Sequence, residues 1–265
     1  MSIIEDHFKL HRQPFPQAAE AGALLHHQSL KDALDRLRFA LDRDGIALLT
    51  AESGCGKSTV LGTLVRDLDT TAYLVVYASL STLSPFSLLS SLVAKIGLRP
   101  RRFKGETAAE LIAHLRGINK RALIIVDEAH LMPDHSLEDL RLLTAESLDK
   151  KSPFALILAG QPLLRERLAE PQHYALAQRI TVRVRMRPLT DSEVALFLDK
   201  HLRACGAKST LVDPDAVMLI FQHSRGIPRL IQNLGLAALL AAATAGKKTI
   251  DGDAVQQALL DQDAS

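Results

Sequence analysis

The chain of 265 residues has no tryptophan and two cysteines, Cys55 and Cys205. Two cysteines so far apart and in unlike contexts exclude a disulfide framework and a cysteine-rich zinc site, and both are expected as reduced thiols. Aromatic residues make up 4% of the chain, too few for the stacking platforms that bind single-stranded nucleic acid. Any nucleic-acid contact is therefore expected along a duplex backbone. No apolar run reaches the roughly 20 residues that span a bilayer. The opening stretch MSIIEDHFKLHRQPFP carries acidic residues and a proline where a signal peptide has its apolar segment. Membrane insertion is thus not expected, and the expected location is cytoplasmic. A net charge of +2 is too mild to mark a nucleic-acid surface by itself. With 47% hydrophobic and 23% charged residues, the chain can bury a substantial core as one domain or two joined ones.

Five short apolar, β-rich runs alternate with helical stretches: GIALLT (45–50), AYLVVYA (72–78), ALIIVDE (122–128), FALILAG (154–160) and ITVRVRM (180–186). Strands alternating with helices predict a parallel sheet covered on both faces, an α/β fold. Before them, Leu30, Ala33, Leu34, Leu37, Ala40 and Leu41 fall at helical spacing, and Phe8 and Phe15 are candidate anchors of an N-terminal arm. After Pro188 the pattern is helical only. Thr190 with Glu193 three residues on reads as a capping box, Asp213-Pro214 opens a second helix and Asp251 a third. The stretch LIQNLGLAALLAAATAG reads as a buried helix stopped by Gly246. The expected organisation is an arm and helix packing on the core (1–44), an α/β domain (45–188) and a small helical lid domain (189–265).

The first strand runs into Ser53-Gly54-Cys55-Gly56-Lys57-Ser58-Thr59 and then into an apolar helix, the context of a P-loop. Gly54 and Gly56 let the backbone curl so that its N–H groups face phosphates. Lys57 would reach the β- and γ-phosphates, and the Ser58 hydroxyl would hold Mg²⁺. Ala51 stands where the strict motif has glycine, which is admissible if its φ is negative. The third strand ends in Asp127-Glu128. On the carboxyl edge of such a sheet, Asp127 can hold the magnesium through water and Glu128 can orient or deprotonate the attacking water. The stretch RPRRFK (99–104) places four cations in six residues; it is either a phosphate-binding loop or, more ordinarily, a solvated one.

The order of these motifs resembles the ExeA (GspA)-like family of AAA+ ATPases. The likeness runs over nearly the whole chain: the arm from Phe8 to Phe15, the P-loop, LIIVDEAH, LILAGQP, LAQRI and GIPRLIQNL. It implies an AAA+ P-loop domain with a five-stranded parallel sheet and a helical lid, ATP and Mg²⁺ as cofactors, ATP hydrolysis, and self-assembly into a ring or filament. It also implies that Gln161 is the sensor-1 residue near the γ-phosphate and Arg229 the sensor-2 cation. Arg179 would be an arginine finger given to a neighbouring subunit, with Arg183 second. His26 and His27 match a stretch that packs the adenine in related proteins, or form a surface pair. ATP rather than GTP follows from the resemblance alone. Secretion members of the family carry a membrane span and a peptidoglycan-binding domain after this module. The 265 residues include neither, so a stand-alone module is expected, similar to the transposition regulators MuB, TniB and TnsC. The expected function is an ATPase that oligomerises on duplex DNA, selects a target and recruits a transposase. The alternative is a cytoplasmic ATPase of an envelope secretion or assembly system without DNA binding. A third reading is a nucleotide-gated interaction module that hardly hydrolyses ATP, against which Glu128 and Arg179 speak.

Overall fold

Strands β1 (Ile46–Thr50), β2 (Tyr73–Ser79), β3 (Arg121–Asp127), β4 (Ala155–Gly160) and β5 (Ile180–Arg185) form one parallel sheet in the order β2-β3-β4-β1-β5. The three inner strands are buried at nearly every position, whereas β5 alternates buried and exposed along its length. The pattern is physical: an inner strand has both faces covered and reads as a continuous apolar run, while an edge strand keeps one face wet. The computed structural model describes residues 3–15, 28–79, 87–144 and 152–263. Its helices are α1 (Ile3–Phe8), α2 (Gln28–Leu41), α3 (Lys57–Asp67), α4 (Ser87–Lys95), α5 (Lys104–Gly117), α6 (Asp134–Thr144), α7 (Leu163–Leu168), α8 (Tyr174–Arg179), α9 (Asp191–Ala204), α10 (Pro214–Ser224), α11 (Pro228–Thr244) and α12 (Gly252–Asp263). Short 3₁₀ turns lie at Ala129–Leu131 and Pro171–His173.

These elements divide into two compact units. The sheet unit comprises Ser29–Ser53 and Val60–Met186. Its core joins the inward faces of β1, β3 and β4 (Leu48, Ile124, Val126, Leu156, Leu158) to Leu92, Leu111 and Leu137 from the covering helices. Register sets the carboxyl edge of this sheet. Thr50 of β1 pairs with Gly160 of β4, and Val126 of β3 pairs with Leu158 of the same strand. Strand β4 is therefore inserted between the strand that leads into the glycine-rich loop and the strand that ends in Asp127.

The helical unit takes the described residues before α2, the loop segment Gly54–Thr59 and everything from Arg187 on. Its core combines Leu198, Ile231, Ala238, Leu239 and Val255 with Ile4, Phe8, Leu10 and Phe15 of the arm. The arm therefore packs with the helical unit. Of residues 1–44, those from Ser29 on belong to the sheet unit. The reason is a fit available on α11: a Cβ at Gly235 would lie 3.2 Å from the Phe15 ring, so the small residue makes the seat for that ring. Helix α9 opens on the expected capping box, with Thr190 Oγ1 accepting from Glu193 N and Glu193 accepting from Thr190 N. Gly246, at φ +68°, follows α11 as expected. Helix α11 is not buried all round, since Leu230 and Leu240 are exposed. No helix among the described residues is long and apolar enough to cross a membrane.

Candidate functional site

Chain direction delivers the glycine-rich loop. Strand β1 ends at Thr50 on the carboxyl edge, and helix α3 begins at Lys57. Between them Gly54 and Gly56 adopt φ of +82° and +92°, a region that side-chain-bearing residues avoid. Ala51 is not among the residues with positive φ, which satisfies the condition for alanine at that position. Within the helical unit the loop meets the start of α11. The backbone N–H of Arg229 donates to the carbonyl of Gly54 at 3.3 Å, and a Cβ at Gly54 would lie 3.0 Å from both Arg229 Cβ and Ile227 Cγ2. Thus Gly54 is required twice, for its φ and for the approach of Arg229. Lys57 is buried, while Ser58 and the Arg229 side chain are exposed.

In the sheet unit, Asp127 and Glu128 end β3 in a constrained way. Both Asp127 oxygens accept hydrogen bonds, Oδ1 from the backbone N–H of Glu128 at 2.8 Å and Oδ2 from the Tyr77 hydroxyl at 2.7 Å. Burial, and then the bond given to Asp127, hold the Tyr77 phenol well above its ordinary value, so it stays a donor. Glu128 sits in the left-handed region at φ 54°, ψ 32°, which is rare for a residue with a long side chain. This turn lifts its carboxylate out of the strand while Asp127 stays buried. Glu128 Oε2 lies 3.3 Å from Nδ1 of His130, itself buried, and the same nitrogen lies 3.4 Å from the backbone N of Gln161. The structure thus brings Glu128 and the backbone of Gln161 together at His130, while Tyr77 holds the neighbouring Asp127. The sequence by itself assigned neither His130 nor Tyr77 a role.

Arg179 closes α8 as an exposed residue whose side chain has no hydrogen bond or ion pair to the described residues. Arg183 differs, because its guanidinium donates to the carbonyls of Ala177 and Ile180 at the end of α8. That occupation is intramolecular helix capping.

Three comparisons bear on this geometry. Residues 40–168 match the family model described as an AAA domain. The chain is 34% identical, over 255 residues, to general secretion pathway protein A of Aeromonas hydrophila, covering 93% of this chain and 46% of that protein. Among solved structures, Cdc6p of Pyrobaculum aerophilum superposes with a TM-score of 0.69 at 19% identity, over 97% of this chain and 70% of its own. The Aeropyrum pernix ORC1 protein in complex with DNA gives 0.68 at 19% identity, over 93% and 66%. The chain belongs to the AAA+ ATPases. It spans about half the length of the secretion relative, and the structural neighbours, at their low identity, show the fold alone.

Membership makes this chain an ATP hydrolase. In the helical unit, a curled loop at the start of an 11-residue helix, a buried lysine and a serine hydroxyl suit the phosphate chemistry of the family; in the sheet unit, the carboxylate held at the end of β3 is of the kind that holds magnesium. In the basic stretch of the ATPase, Arg101 is paired with Glu110 and Lys104 with Asp139, while Arg102 lies over the Phe103 ring. Two of its four cations are thereby neutralised. His26 and His27 lie outside the described residues. A histidine three positions after the strand-ending Asp127 was the available signal for His130. Tyr77 left only a weak one, a tyrosine near the carboxyl end of an edge strand.

Proposed function

We propose that this ATPase binds ATP with magnesium at the loop 53–59 and uses Glu128 to activate the attacking water. In this reading Ser53, Gly54, Cys55, Gly56, Lys57, Ser58 and Thr59 form the phosphate cradle, and Lys57 neutralises the β- and γ-phosphate oxygens. Ser58 and Asp127 hold the magnesium, which when bound neutralises phosphate charge and fixes the leaving group. Glu128 takes the proton of the water, Gln161 orients that water or the γ-phosphate, and Arg229 reads bound phosphate through its place at Gly54. Arg179 serves the site of a neighbouring copy in a ring or filament. The observation that carries this reading is the pair of constrained turns, positive φ at Gly54 and Gly56 and left-handed Glu128 after a doubly bonded Asp127. The left-handed Glu128 is strained, and such strain persists where surrounding structure over-determines it, as at active sites.

The work driven by hydrolysis is read from the relative. A match across 93% of this chain to a general secretion pathway protein supports an ATPase of an envelope secretion or assembly system, acting from the cytoplasm on partner proteins. The second reading, a regulator of transposition on duplex DNA, draws on the sequence resemblance and on the DNA-bound ORC1 protein. The half-neutralised basic loop does not strengthen it. Turnover and particle size of the purified protein, with and without duplex DNA, compare the two readings, with Glu128→Gln as the trapped form. Unchanged values with DNA, together with recovery of envelope partners by the trapped form, support the secretion reading. Salt-dependent DNA binding that tightens with ATP, and turnover raised by DNA, would replace it with the second. Lys57→Ala should lose nucleotide binding in either case.

A further inference from the structure

His130 stands between two chain segments that carry candidate site residues. Its Nδ1 lies 3.3 Å from Glu128 Oε2 and 3.4 Å from the backbone N of Gln161, a residue 31 positions away. These neighbours make opposite demands: a carboxylate needs a proton on Nδ1, and a backbone N–H needs a lone pair there. One nitrogen serves one of them at a time. The ring has little freedom to avoid the choice. It is buried, a Cβ at Gly160 would lie 3.1 Å from His130 N and 3.4 Å from its Nδ1, and the His130 carbonyl accepts a 2.8 Å bond from Arg167 Nη1. Arg167 is fixed in turn by an ion pair with Asp134, which also bonds the buried His173 just before α8.

We propose that His130 is a positioning residue for hydrolysis. With the proton on Nδ1 it holds one oxygen of Glu128 and leaves the other for the attacking water, and with the lone pair on Nδ1 it takes the Gln161 N–H and releases Glu128. Through His130, the end of β4 and the carboxylate after β3 share one two-state contact. This rests on Glu128 acting as the base. Conformation alone supplies the effect, because freeing a side chain that must be aligned for proton transfer costs rate without removing any group that touches the nucleotide.

The amide of asparagine can present its N–H where Nδ1 stands, whereas that of glutamine falls nearer the place of Nε2. His130→Asn should therefore keep turnover within about threefold, while His130→Gln and His130→Ala lower kcat by about 10- to 100-fold. Binding of a fluorescent ATP analogue should stay within twofold for all three, which also reports folding. In the Glu128→Gln background, His130→Ala should add nothing to the loss already present. Equal losses in the Asn and Gln variants, a faster His130→Ala enzyme, weakened analogue binding, or additive losses with Glu128→Gln would each overturn the proposal. A Glu128→Gln variant with full turnover would instead overturn the base assignment itself.

Discussion

Residue by residue, this site is built from conformations that most side chains avoid. Left-handed Glu128 costs about 1 to 3 kcal/mol relative to relaxed backbone, and its N–H bond to Asp127 Oδ1 is part of what holds it there. Glu128→Gly should therefore unfold at the same temperature as the parent or higher, while hydrolysis falls by roughly 10²- to 10⁴-fold; calorimetry beside a phosphate-release assay checks both. A lower melting temperature would mean that the turn is not strained. Gly160→Ala should act on the opposite balance, leaving nucleotide binding intact but pressing a methyl group against His130 N and Nδ1 and lowering kcat. Tyr77→Phe removes one of the two bonds that hold Asp127, and its effect should appear as a higher magnesium concentration needed for half-maximal turnover.

Helices of the second unit are held by junctions whose strength can be read from chemistry. At the start of α9, Arg187 donates to Glu193, which also accepts from Thr190 N. The Arg187 bond pulls the Glu193 carboxyl down to about 2 from an ordinary 4.5. A depressed carboxyl stabilises the fold above its unfolded value and loses that contribution as pH falls from 4.5 towards 2. Because Arg187 is half exposed, solvent screening keeps the effect on the order of 1 kcal/mol. Glu193→Gln should thus lower the urea midpoint at pH 7, and most of that difference should be lost by about pH 2. Before α11, Gly226 has φ +73°, its carbonyl accepts from Leu189 N, and a Cβ there would fall 2.0 Å from Leu189 O. Gly226→Ala should destabilise the helical unit by about 3 kcal/mol or more, measured by denaturant unfolding.

For the whole molecule the deciding residue is Arg179. An exposed arginine whose side chain has no bond to the described residues suits a group that works on another copy, as proposed above. Arg179→Ala should lose about 10³- to 10⁵-fold in turnover and keep nucleotide binding. Mixing it with inactive Glu128→Gln should restore activity, because some interfaces then pair an intact Arg179 with an intact Glu128. A mixture as inactive as its components would show that Arg179 acts within its own chain or not at all. Specific activity should also rise with protein concentration as assembly proceeds.

Local features of the chain were legible before any coordinates. The loop between β1 and α3, the apolar strand ending in two carboxylates and the capping box at Thr190 each depend on residues a few positions apart, where backbone geometry follows directly from spacing. The sequence by itself therefore determined the element types, the phosphate-loop geometry and the family. Only the tertiary structure decided that β4 lies between β1 and β3, that Tyr77 reaches Asp127 across 50 positions and His130 reaches Gln161 across 31. It also decided that the arm belongs with the helical unit. Periodicity says which face of a strand or helix is apolar, but strand order, register and the partner that covers each face come from global packing.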